Sequence, residues 1–142
     1  MKDAIIVTMA ASWCLVGLST TVALVVYPSF FVVDPASWPA FHRQHSSRIT
    51  WAVGPPWLLQ AIGLGLWLFI GPRSTWWAWI LCSTAAILAV VVTIVSAVPT
   101  HEHLSAEFSE NLGQRLLVAH WVRTVLWLIA ALAPTFALVQ LR

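Results

Sequence analysis

The sequence predicts an all-α integral membrane protein, a four-helix up-down bundle whose second helix is kinked at Pro55-Pro56. Three observations predict it. Hydrophobic residues make up 60% of the 142 and charged residues only 8%, with a mean hydropathy of +0.85, which is too apolar for a soluble domain of this size. The apolar residues fall into four runs, 4–27, 50–70, 75–98 and 116–139, each about the twenty residues that a helix needs to cross the hydrocarbon. The connections carry turn signals, Asp34-Pro35 and Gly71-Pro72-Arg73-Ser74 among them. A single domain over 1–142 is expected, with no soluble appendage and the lipid bilayer as its solvent.

Each element has a local reason. The first helix, 4–27, carries Ser12, Cys14, Gly17, Ser19, Thr20 and Thr21, small residues that let a neighbouring helix come close where lipid supplies no hydrophobic drive. Tyr27-Pro28 is expected to end it, because proline disfavours helix at the preceding residue and tyrosine suits the interface. Asp34-Pro35 reads as an N-cap followed by proline at the first helical position, so the second helix is expected over 35–70. Its early part is amphipathic, and Pro55-Pro56 is expected to bend it on entry to the membrane. Gln60, a lone polar side chain at depth, is expected to make an interhelical hydrogen bond.

The tight connection at 71–74 pairs the second and third helices as an antiparallel hairpin, and Trp76, Trp77 and Trp79 mark an aromatic belt. The third helix, 75–98, ends at Val98-Pro99. In the polar stretch beyond it Leu104 and Phe108 have the i, i+4 spacing of a short interfacial helix. Asn111 with Gln114 has the spacing of a capping box that opens the fourth helix, 112–139.

Composition also excludes. The net charge of +2 is spread over short loops with no basic cluster, so no nucleic-acid-binding face is expected. Lys2 before an apolar run resembles a signal peptide, but the run is long and lacks a small-residue cleavage pattern before Tyr27, so a retained helix is expected. Cys14 and Cys82 form no CxxC and are expected as buried free thiols.

Four crossings place both termini and the turn at 71–74 on one face and all five histidines on the other. His120 and Arg123 lie inside the fourth run, where ionisable groups cost free energy and therefore mark an internal partner or a function. They share a helix face with Trp127, while Trp121 points elsewhere. Among the acidic residues on that side, Glu102 is the expected partner of Arg123. Val26-Tyr27-Pro28 and Ala97-Val98-Pro99 echo each other, each followed by histidines and another helix, as an old duplication would leave them, although two short matches do not establish a repeat. The positive-inside count is tied, and the crowding of acidic residues on the histidine side favours cytoplasmic termini.

His42 and His45, facing His101, His103 and His120, are enough imidazoles for a copper, zinc or non-haem iron site. The spacing allows this and does not compel it. HExxH and Glu-x-x-His are absent, so the dimetal bundle pattern is missing. For haem, His42 or His45 against His120 is the pairing to consider. Without a cofactor, an imidazole acts as general base beside Arg123, which stabilises an anion in a pocket walled by Trp38, Phe41 and Trp127. The expected site thus has His120 and Arg123 as catalytic groups and Trp38, Phe41, Trp127 and Glu102 against the ligand. His42, His45, His101, His103 and His120 are the metal candidates.

Val98-Pro99-Thr100-His101, followed by His120-Trp121-Val122-Arg123-Thr124 and Trp127, resembles the small four-helix membrane proteins of the anthrone-oxygenase-like group. Tyr27-Pro28 with His42, His45-Ser46 and Val53-Gly54-Pro55 is similar to a bacterial branch of that group. The resemblance spans most of the chain; in many relatives an asparagine stands where this sequence has His120. It implies a four-helix fold in a bacterial plasma membrane and, for some members, oxygenation of an aromatic polyketide without a known cofactor.

The function expected is binding of a small apolar or aromatic molecule in a His/Arg-lined pocket at one membrane face, with its oxidation, metal-assisted or not, as an optional catalytic form that the residues do not decide. The alternative is a non-catalytic accessory subunit of a larger redox or pigment complex, which ten tryptophans and the small-residue face of the first helix also suit. A transporter is disfavoured, because only Gln60 marks the other half of the membrane.

Overall fold

The computed structural model describes residues 2–142, and every regular element among them is helical. Four helices are each long and apolar enough to cross a membrane: α1 (Lys2–Phe30), α2 (Trp38–Ile70), α3 (Arg73–His103) and α4 (Glu110–Gln140). Their ends meet as an up-down bundle requires. Lys2 Nζ donates to Leu141 O at 2.8 Å and Trp77 Nε1 to Gln140 Oε1 at 3.2 Å, so both ends of the chain and the α2–α3 turn lie together. Leu24, Val25, Trp51 and Phe69 point outward from the bundle, an arrangement that a lipid solvent favours and water does not.

α1 continues past Tyr27-Pro28, where the sequence predicts its end. Pro28 has no N–H, and its ring would strike the carbonyl four residues back in a regular helix. The chain widens instead into the π turn Val22–Val26, in which the Tyr27 N–H reaches Val22 O. α3 does the same before Pro99: Thr93–Ala97 is a π turn and the Val98 N–H bonds Thr93 O. The echo between the two sequence segments is therefore one structural device used twice.

Other helix ends differ from expectation for local reasons. Asp34 Oδ1 accepts the Ala36 N–H at 2.8 Å and Asp34 O the Ser37 N–H at 2.9 Å. This Asx turn delays α2 to Trp38-Pro39. The helix then holds through Pro55 and Pro56 to Ile70. Leu104 and Phe108 lie outside any helix, with Leu104 buried and the Phe108 ring against Phe31 and Trp38. α4 opens at Glu110 behind an extended Ser109, ahead of the Asn111 box. Cys82 is buried, its Sγ donating to Ala130 O, but Cys14 is exposed on the outside of α1.

Packing runs in the order α2, α1, α4, α3. Gln60 Nε2 donates to Ser12 Oγ at 2.8 Å, the expected interhelical bond. One turn further along α2, Gly63 meets α1 so closely that a Cβ would lie 2.5 Å from Thr8 Oγ1. α2 and α3, predicted to pair as a hairpin, are instead tied at their two ends. Near the turn Trp67 Nε1 bonds Thr75 Oγ1 and Trp79 Nε1 bonds Leu64 O, both at 2.9 Å. At the other end Trp38 Nε1 bonds Leu104 O at 2.6 Å and His42 bonds His101 at 3.0 Å. Two apolar cores correspond to these ends, one around Ile5, Trp67 and Ala130 and one around Phe30, Trp38 and Leu116.

Candidate functional site

Between α2 and α3, where those ties are missing, lies a cavity of about 330 Å3. Its wall includes Ser19, Val22 and Tyr27 of α1, Ser46, Ile49 and Trp57 of α2, Thr93, Ala97 and His101 of α3, and His120, Arg123 and Trp127 of α4. Both π turns face it, Val22 from one and Thr93 with Ala97 from the other. Thr50, Gly54 and Val98 line it and are exposed, which puts its mouth on the α2–α3 seam, opening to the outside of the bundle.

Replacing Pro28 and Pro99 together by alanine restores two backbone donors and removes the reason for the wide turns. The double variant is expected to be more stable by about 1–3 kcal/mol and to lose uptake of a small naphthalene dye as the cavity narrows. Unfolding in mild detergent and dye fluorescence check both halves. A variant that gains stability with uptake unchanged separates the π turns from the cavity.

Four of the five histidines gather at the far end of the cavity. His101 uses both ring nitrogens: Nε2 meets the Tyr27 hydroxyl at 3.3 Å and Nδ1 meets His42 Nε2 at 3.0 Å. Only two proton arrangements satisfy this line. Either the Tyr27 O–H donates to His101 and the His101 Nδ1–H to His42, or the His42 Nε2–H donates to His101 and the His101 Nε2–H to Tyr27. His45 stacks on His101 with ring centroids 5.8 Å apart, and its Nε2 is buried without a partner. Tyr27 packs edge-on against both His45 and His120.

His120 is fixed more tightly. Its Nε2 lies 2.9 Å from Ser19 O, a carbonyl that can only accept, and its Nδ1 faces the Arg123 Nη2, which can only donate. The ring is therefore the neutral Nε2–H tautomer, with no lone pair left over. Ser19 Oγ completes the cluster at 2.7 Å from Thr124 Oγ1. Arg123 reaches Thr93 Oγ1 at 3.3 Å with Nη1, so it links α4 to α3, and its Nε is buried without a partner.

Of the residues expected in the site, His120, Arg123, Trp127 and His101 line the cavity. Trp38 is fully buried outside the cavity lining, its indole held by Leu104 O, and Phe41 faces a more open hollow between α1 and α2 together with His45. Glu102 is exposed, and Arg123 bonds Thr93 and His120 in its place. His103 is also exposed. Among the described residues no three His, Cys, Asp or Glu side chains are arranged to hold a metal ion. The bonding explains this, since His101 directs its nitrogens at Tyr27 and His42, and His120 its own at Ser19 O and Arg123, instead of at a common centre. A haem slot between His45 and His120 is filled by the Tyr27 ring.

Sequence reasoning missed Tyr27, Ser46, Trp57, Ser19 and Thr93 as site residues. Tyr27 is the only tyrosine in the chain, and that singularity was the one available signal. No family model matches this chain, and no curated protein or solved structure is significantly similar to it.

Proposed function

We propose that this chain is an integral membrane protein that takes a small apolar or aromatic molecule from the lipid into the α2–α3 cavity and holds it against Arg123 and the imidazoles. One observation carries the reading: Ser46 Oγ, Trp57 Nε1 and Arg123 Nε all belong to cavity-lining residues and are buried without hydrogen-bond partners. A buried polar atom left unpaired costs about 1–3 kcal/mol, and a polar group on a bound molecule removes that cost once these side chains turn toward the hollow. The catalytic form of the proposal is oxidation of an activated CH2 of the guest to C=O by dioxygen, with water as the second product and the Tyr27–His101–His42 line as the route for the proton removed from carbon. The resemblance to the anthrone-oxygenase-like group makes an aromatic polyketide the first substrate to assay and a bacterial plasma membrane the expected location. A metal-assisted form requires His42 and His101 to leave their present bond.

The test uses the protein in lipid nanodiscs, with empty discs as the reference for simple partitioning. Saturable retention of a radiolabelled aromatic ketone at one per chain, abolished by the cavity-filling Ile49→Trp, is the expected result. Retention that stays linear and equal to that of empty discs would remove the ligand-binding reading. A stoichiometric protein partner that copurifies in mild detergent, with no ligand retained, would replace it with the accessory-subunit reading.

A further inference from the structure

Arg123 is half-buried in the wall of the cavity, and all five carboxylates of the chain, Asp3, Asp34, Glu102, Glu107 and Glu110, are exposed. The groups it does bond, Thr93 and the neutral His120 ring, carry no charge. A guanidinium does not lose its proton in a protein, so the hollow contains a full positive charge with no internal counter-charge. That is costly in a low-dielectric setting and is tolerated where a partner or a function answers it. The unpartnered donors have the same sign: Arg123 Nε–H and Trp57 Nε1–H can only donate. Trp57 stands 6.0 Å from the Trp127 ring, one turn along α4 from Arg123. The remaining wall is mostly aliphatic and aromatic.

Resting on the reading of this cavity as a ligand site, we infer that its occupant is an amphiphile with an anionic oxygen head, a carboxylate or a phenolate, seated against Arg123 and Trp57. Its apolar body lies along Ile49, Val53 and Trp127 and enters through the α2–α3 seam. A neutral isostere leaves the charge unanswered, and a cationic one adds repulsion. The volume equals roughly eleven waters at about 30 Å3 each, which suits a medium-length chain or two fused rings and excludes a whole phospholipid.

Two isosteric pairs test this in nanodiscs of phosphatidylcholine: dodecanoate against 1-dodecanol, and 2-naphthol against 2-methoxynaphthalene. The acid member of at least one pair is expected to bind at least tenfold more tightly than its neutral partner. Bound 2-naphthol should also show the naphtholate absorption band at a pH where the free compound is neutral. Preference in the dodecanoate pair assigns a carboxylate head and preference in the naphthol pair a phenolate head. Arg123→Met and Trp57→Phe are each expected to remove most of the preference. Trp57→Phe is the cleaner variant, because the N–H it deletes bonds nothing in the protein; a merely structural role for Trp57 leaves the preference intact. Saturable binding with equal affinity for acid and neutral members overturns the anionic head and leaves the cavity reading standing. No saturable binding of any of the four compounds overturns both.

Discussion

Gly63→Leu is expected to prevent α1 and α2 from assembling, while Gly65→Leu, two residues along, is expected to be tolerated. At Gly63 a Cβ meets Thr8 Oγ1 at 2.5 Å and the Thr8 backbone nitrogen at 3.0 Å, so the obstruction is main chain and cannot rotate away. At Gly65 nothing lies within 4 Å. Overpacking usually costs about 1–3 kcal/mol, and here the helices must also part far enough to stretch the Gln60–Ser12 bond. The expected effect is therefore at the top of that range or beyond, read as aggregation or early unfolding on extraction in mild detergent. Equal extraction and unfolding of the Gly63→Leu and Gly65→Leu proteins would mean that the close α1–α2 crossing does not exist.

The second large effect is expected at His120. Leucine there removes the acceptor from Arg123 Nη2 and the donor from Ser19 O together, and a hydrogen bond to a charged group is worth about 1.5–3 kcal/mol. Asparagine should rescue it, because its amide oxygen accepts from Arg123 while its NH2 donates to Ser19 O, the same polarity as the neutral Nε2–H imidazole. The expected order of stability is His120, then Asn, then Leu, with bound-ligand affinity following the same order as Arg123 loses its orientation. Asparagine behaving as badly as leucine would refute the tautomer assigned to His120.

Much of the fold was legible because lipid leaves few alternatives. Four apolar runs of about twenty residues each are long enough to form helices that could cross a membrane, and the turn at 71–74 had to separate two of them. The helix ends were less legible. Pro28 and Pro99 were read as terminators, which is what proline does where water can take up the freed carbonyls; in a bundle a π turn accommodates them and the helix goes on. α2 and α3 are antiparallel neighbours across the turn, but their parting between the tied ends was not legible, for a different reason. A tight connection fixes proximity at one end only, and the small faces of α1 drew both α2 and α4 to it.

The site divides along the same line. His120, Arg123 and Trp127 could be found because burying them is costly and their spacing places them on one helix face. The pairing of Arg123 with Glu102 and the ligand role of Trp38 could not be judged, because both depended on where the irregular chain after His103 goes. It turns inward at Leu104, which takes the Trp38 N–H and leaves Glu102 outside. Trp57 carries no spacing signal in an apolar run, and only the surrounding hollow distinguishes it from the eight tryptophans that do not line it.

The row of bonds from the Tyr27 hydroxyl through His101 to His42 has a consequence for acid–base behaviour. Since the middle ring has one hydrogen and two neighbours, turning either link around obliges the other to turn with it. A hydrogen ion arriving at the phenol from within the hollow is matched by one leaving at His42, two rings away near the start of α2, without water passing between. In the proposed proton route the two locations are therefore coupled, because the direction of the Tyr27–His101 link fixes that of the His101–His42 link.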